Sequence, residues 1–217
     1  MTVGREEPIA LLEDKETRET SGAKRDTRKQ SQQDDRRAMP AEAPVPSGAG
    51  DGPIKIAGYD RAWQASYIAE RERLASLLPG IPIHHIGSTA VRGLAAKPVI
   101  DMIALVDDLD ADSRELVRDA GYHLPARFNA NLDHRRFLCY PTTAHRTHHL
   151  HLVDTREGID NCLRFRDRLR SDPELAGEYV ALKRALASRF QDDRLGYTEA
   201  KSSFIENAIR RPVPKRC

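Results

Sequence analysis

Asp101 stands inside an otherwise apolar run, V-I-D-M-I-A-L-V at 99–106, where an ionised carboxylate without a partner is costly. Two readings fit it: an aspartate at a strand end bonded to backbone amides, or a metal ligand or catalytic base. Upstream, I-H-H-I-G-S-T at 83–89 carries a short apolar run into Gly87-Ser88-Thr89. A glycine after a strand lets the backbone turn tightly, and the amides opening the next helical segment, with the Ser88 hydroxyl, can grip a phosphate. The turn is not a P-loop, because G-S-T-A-V-R-G-L lacks the G-K-[ST] ending, and it is not G-x-G-x-x-G. A plain loop is the alternative. Its place before an acid-bearing strand favours the phosphate.

The histidines add a second chemistry. All eight lie between positions 84 and 151. His149-Leu150-His151 puts two imidazoles on one side of a strand, where they and Asp101 could ligate a divalent metal. A polar cleft or a phosphate contact is the alternative use, and His85 and His145 are further candidates. The cations available to a phosphate are Arg92, Lys97, Arg135, Arg136, Arg166, Lys183 and Lys201. Lys97, held near Asp101 by Pro98, and Arg166, in F-R-D-R-L-R, are selected from them.

These residues need a scaffold that alternates strands and helices. Asp60 can cap a helix to about Leu78, with Trp63, Tyr67, Leu74 and Leu77 near helical spacing, stopped by Pro79-Gly80. The spacing then predicts a strand at Ile83, the turn, a short helix and a strand over Val99 to Val106. Asp112 or Ser113 can cap a helix that ends at Gly121. Arg136 to Tyr140 and His148 to Val153 alternate as two strands. After Asp154 the period is helical: Ile159, Cys162, Leu163, Phe165 and Leu169 share a face, and Asp172-Pro173-Glu174 opens the next helix. Leu175, Tyr179, Leu182, Leu186 and Phe190 form its stripe, and Gly196 separates a last helix from Thr198 to about Arg210. Strands and helices first, then a helical final third, make an α/β or α+β domain.

Residues 1–53 differ from the rest. Asp14 to Arg37 is almost wholly polar, and Ala38 to Pro53 is rich in Ala, Pro and Gly, a composition that buries too little apolar surface to fold. They read as a disordered tail and linker, with a protein-binding arm as the functional alternative. The ordered domain is expected over 54–211, followed by a short tail at 212–217. With 39% hydrophobic and 31% charged residues, the chain has room for a core, and no stretch reaches the length of a membrane span. The N-terminus lacks a signal-peptide core, and Cys139, Cys162 and Cys217 show no paired spacing, so a cytoplasmic location is expected. A formal charge of +2 does not by itself imply nucleic-acid binding.

H-I-G-S-T-A-V-R-G-L-A-A-K-P-V-I-D at 85–101, H-H-L-H at 148–151, L-R-F-R-D-R-L-R at 163–170 and Y-T-E-A-K-S-S-F-I at 197–205 together resemble the GrpB family over about residues 55 to 210. The resemblance implies a nucleotidyltransferase-like fold, a small mixed sheet with packed helices, in a family whose members occur alone or fused to dephospho-CoA kinase. The wider superfamily follows a Gly-Ser turn with D-x-[DE], whose two carboxylates hold two magnesium ions for phosphoryl transfer. Gly87, Ser88 and Asp101 match that pattern. Ile103 stands where the second acid belongs, and the strand that would supply a third acid offers His149 and His151.

The leading expectation is a nucleotidyltransferase-like protein whose ligand is a nucleotide or phosphorylated small molecule. Gly87, Ser88, Thr89, Lys97 and Arg166 would hold phosphates, and Asp101 would be catalytic. Asp101, His149 and His151 would hold a divalent metal (Mg, Mn or Zn). The alternatives are a catalytically inactive nucleotide- or phosphate-binding accessory module and a metal-dependent hydrolase built on the histidines.

Overall fold

The computed structural model describes residues 53–211. The tail expected at 1–53 (Pro53 apart) and the stretch 212–217 fall outside the described residues. Strands β1 (Ile83–Ile86), β2 (Ile100–Leu105), β3 (Arg135–Pro141) and β4 (Arg146–Val153) form one sheet in the order β1-β2-β4-β3. The sheet is mixed, as expected: β1 is antiparallel to β2, β2 is parallel to β4, and β3 is antiparallel to β4. Its register aligns Ile86, Asp101, His149 and Cys139 in one row across all four strands.

Side chains alternate between the faces of a strand. Asp101, Ile103, His149 and His151 therefore share one face, and Ile100, Met102, Leu150 and Leu152 share the other. The second face packs on α1 (Ala62–Leu74) and α2 (Leu109–Ala120), where Trp63, Tyr67, Leu74 and Leu116 close the main core. Each such buried apolar side chain stabilises the fold by roughly 1.5–3 kcal/mol. The first face is roofed by α4 (Arg156–Ser171), whose Ile159 packs on Ile86, Ile103 and Val153. The short helix α3 (Ala126–Asn129) lies beside β3. Helices α5 (Pro173–Arg189) and α6 (Arg194–Arg210) join Phe165 of α4 and reach the loop after the Gly-Ser turn, where Leu175, Tyr179 and Ile205 meet Val91 and Leu94.

Several boundaries differ from expectation for identifiable reasons. Helix α2 starts before Asp112, because Asp108 accepts from the amides of Asp110 (3.0 Å) and Ala111 (2.9 Å) and caps it there. Gly121 ends α2 in the left-handed conformation, as its position predicts. Helix α6 starts at Arg194 rather than Thr198: Asp193 accepts from the Gly196 amide at 2.9 Å, so Gly196 sits inside the first turn instead of separating two helices. Helix α1 ends at Leu74, and turns carry the chain to Gly80. Strand β4 is buried along its whole length despite three histidines.

Candidate functional site

Gly87 leaves β1 with φ 67°, a left-handed conformation that favours glycine. A Cβ there would lie 2.5 Å from Asp101 Oδ2, so the turn and the carboxylate are in contact only because residue 87 has no side chain. The opposite carboxylate oxygen, Oδ1, lies 2.9 Å from Nδ1 of His149, its cross-strand neighbour. His149 is buried with its ring edge against Phe137, and the Asp101 side chain keeps 19% exposure. Asp101 is thus oriented from one side and open on the other.

After Gly87 the chain makes a three-residue 3-10 turn, Ser88–Ala90, instead of a helix. Too short to offer a helix terminus to an anion, it leaves the work to side chains. Lys183 of α5 donates from Nζ to Ser88 Oγ at 2.9 Å and to the Ala95 carbonyl, and lies 4.8 Å above the Tyr179 ring. Burial pushes its pKa down to about 7, with the charges of Lys201 and Arg184 adding to the shift. Lys201 of α6 stands 3.9 Å above the Tyr197 ring. Lys97, Lys183 and Lys201 line one cavity of about 60 Å³ with Gly87, Ser88 and Asp101. Three lysines against one carboxylate give the cavity an excess of basic groups.

Of the residues selected from sequence, Gly87, Ser88, Lys97, Asp101 and His149 come together here. Thr89 lines the same cavity, with its hydroxyl directed inward to His85 Nε2 at 3.0 Å and the Val99 carbonyl. Arg166 does not join them. Its Nη1 donates to the His85 carbonyl at 3.1 Å, and Nε and Nη2 bond Asp167, so it ties α4 to β1. Val99, Tyr179, Lys183, Tyr197, Thr198 and Lys201 fill the remaining wall. The signal for Lys183 was present in the sequence: it falls four residues after Tyr179, in the buried stripe of α5 with Leu175 and Leu186.

His151 lies on the same face as Asp101, but opposite Ile103. Its Nδ1 accepts from Arg135 Nε at 3.2 Å, and burial, then the charges of Arg135 and His149, hold its pKa well below the usual value. A guanidinium on the ring opposes a cation there. Ile103, where the resemblance expects a second acid, is completely buried under α4. Among the described residues, no group of three His, Cys, Asp or Glu side chains is arranged to hold a metal. The donor set therefore does not fit a metal held by Asp101, His149 and His151 together. A larger groove of about 880 Å³ lies on the other side of the 89–94 loop, between Arg92, Leu94, Arg170 and Val180, but it reaches neither Asp101 nor His149. Among the described residues, no helix is long and apolar enough to cross a membrane.

Comparison with known proteins agrees with this architecture. The chain is 39% identical over 174 residues to a UPF0157 protein of Pseudomonas aeruginosa, a match spanning 77% of this chain and 71% of that protein. It is 30% identical to a dephospho-CoA kinase of Mycolicibacterium paratuberculosis over 73% of this chain and 46% of the kinase. The crystal structure of conserved protein GrpB from Enterococcus faecalis superposes with a TM-score of 0.64 at 31% identity, covering 72% of this chain and 95% of that one. Residues 53–211, the whole described domain, match the family described as GrpB protein, and the chain belongs to that family.

Proposed function

We propose that this is a nucleotidyltransferase-like protein that binds the phosphates of a nucleotide between the Gly87-Ser88 turn and helices α5 and α6. One observation carries the reading: Lys183 is buried against Ser88, and Lys97 and Lys201 line the same cavity beside Asp101. Basic side chains that converge on one small cavity raise the local positive potential and favour an anion there. The cavity has room for a phosphate group, so the nucleoside would lie outside it. Asp101, oriented by His149, is the group that would align a phosphate acceptor or bridge a cation to the phosphate oxygens.

Calorimetric titration of the full chain with the four common nucleoside triphosphates and pyrophosphate, with magnesium or with chelator, tests the reading. Binding is expected, weakened by about tenfold or more in Lys183→Met, which removes a charge-assisted contact. Asp101→Asn separates two modes. Removing the negative charge strengthens phosphate binding when no cation intervenes, and weakens magnesium-dependent binding when one does. A wild-type protein that answers to none of the five compounds overturns the proposal.

A second reading, a nucleotide-binding module that transfers nothing and assists a partner enzyme, is favoured by the burial of Ile103 in place of an acid. The match to less than half of a dephospho-CoA kinase agrees with a modular use. Pyrophosphate release from a bound triphosphate would exclude it. The hydrolase built on His149 and His151 draws no support, since Arg135 occupies His151.

A further inference from the structure

A second cavity, of about 50 Å³, meets the lysine-lined one at Gly87, Asp101 and Tyr179. Its remaining wall includes Arg135, Asn161 and Cys162. Arg135 comes from β3 and stands on the same face of the sheet as Asp101 and His151. Its Nε donates to His151 Nδ1, which fixes the plane of the guanidinium. Its Nη2 is shut off from solvent and finds no hydrogen-bond acceptor among the described residues. Buried donors nearly always have partners, and a charged one left without any is expensive. The volume is several times the roughly 10–15 Å³ that one water needs, and too small for a nucleoside.

We propose that this cavity holds the acid group of a second ligand, a carboxylate or a phosphate monoester, on Arg135. The inference rests on the nucleotide reading above. Asp101 then lies between two oxyanion seats, one formed by lysines for the nucleotide and one formed by arginine for a co-substrate. A guanidinium fork matches the planar or tetrahedral oxygens of such groups, and the Asn161 side chain on the same wall adds a neutral donor. Arg135 lines only the second cavity and the three lysines only the first, so each seat carries its own counter-charge. Two anions that would repel each other in water can therefore approach Asp101 from two sides.

The test is a sequential titration of the full chain: pyrophosphate to saturation, then inorganic phosphate or acetate. The saturated wild type is expected to bind a further anion, and Arg135→Met to lose that second event by about tenfold or more while its pyrophosphate affinity holds. Uptake of acetate identifies a carboxylate ligand, and uptake of phosphate alone identifies a phosphate monoester. Failure of the saturated wild type to take either anion overturns the inference and leaves the nucleotide reading in place. Weaker pyrophosphate binding in Arg135→Met does the same, because the guanidinium then belongs to the first seat. Absence of pyrophosphate binding overturns both. Should the variant not fold, selenate diffused into wild-type crystals serves instead: anomalous signal beside Arg135 supports the second seat, and signal only beside Lys183 sinks it.

Discussion

Lys183 shows how one side chain can couple ligand affinity to pH. Its pKa is about 7 in the folded chain, against 10.5 ordinarily. Below about pH 7 the ammonium is charged whether the chain is folded or not, so it contributes no slope to stability. Between those two values the unfolded chain holds the extra proton, and stability rises with pH. The proposed phosphate affinity would run the other way, because the anion requires the ammonium. The charged fraction falls about tenfold per pH unit above the folded pKa, and the dissociation constant weakens towards that limit. Titrations from about pH 6 to about pH 9 should show this slope in the wild type and its loss in Lys183→Met. A pH-independent wild type would remove Lys183 from the seat. At this scale the sequence was legible where chemistry is written in a single place: Gly87, Ser88 and Asp101 lie within one continuous stretch. Arg166 misled because a basic residue in a polar run carries no mark of its partner, which proved to be a backbone carbonyl on β1. His151 misled for a related reason, since alternation gave its face correctly and could not show Arg135 bonded to its ring.

Between elements, the polar groups buried under α1 matter as much as the apolar ones. Glu70 of α1 receives Arg73 at 2.6 Å and 2.9 Å and the Tyr122 hydroxyl at 2.7 Å, while Arg73 also donates to the Ala120 carbonyl at the end of α2. This joins α1 to the end of α2 beside the apolar core. Removing one partner of a buried pair leaves a charge without compensation, so Glu70→Ala is expected to lower stability by about 3–5 kcal/mol, and Glu70→Gln by less. Urea unfolding at constant m-value checks this, and an unchanged midpoint would deny the network any role in holding α1. Burial opposes ionisation of Glu70, but the hydrogen bonds and charge of Arg73 outweigh it and its pKa lies below 4.5. Its stabilisation is therefore present above pH 4.5 and lost as pH falls through the lower folded value. Helices with strong caps, such as α5 with Asp172 and Pro173, were readable to the residue. Those at 109 and 194 were not, because several aspartates compete for the cap and only the fold of the preceding loop selects Asp108 or Asp193.

For the whole molecule, the fold class followed from the order of strand and helix patterns, and the site did not. Ser88 and Lys183 are 95 residues apart, and a contact at that distance leaves no period in the chain. The helical final third was visible, but not its use as the second wall of the cavity. That construction makes a global prediction. Pyrophosphate bridging the turn to Lys183 and Lys201 should slow amide hydrogen exchange in α5 and α6 as well as around Ser88, since a ligand bound only to the native state stabilises every region that must open to release it. Protection confined to the turn would contradict a two-walled seat. The same separation orders events during synthesis. The turn, Lys97, Asp101 and His149 are made well before Lys183 and Lys201, so the nascent sheet carries the acid with one of the three cavity lysines. The cavity is completed only when α5 and α6 fold back across it. On the proposed reading, a phosphate would meet its site only late in folding, and its capture would report that the newly made domain has closed.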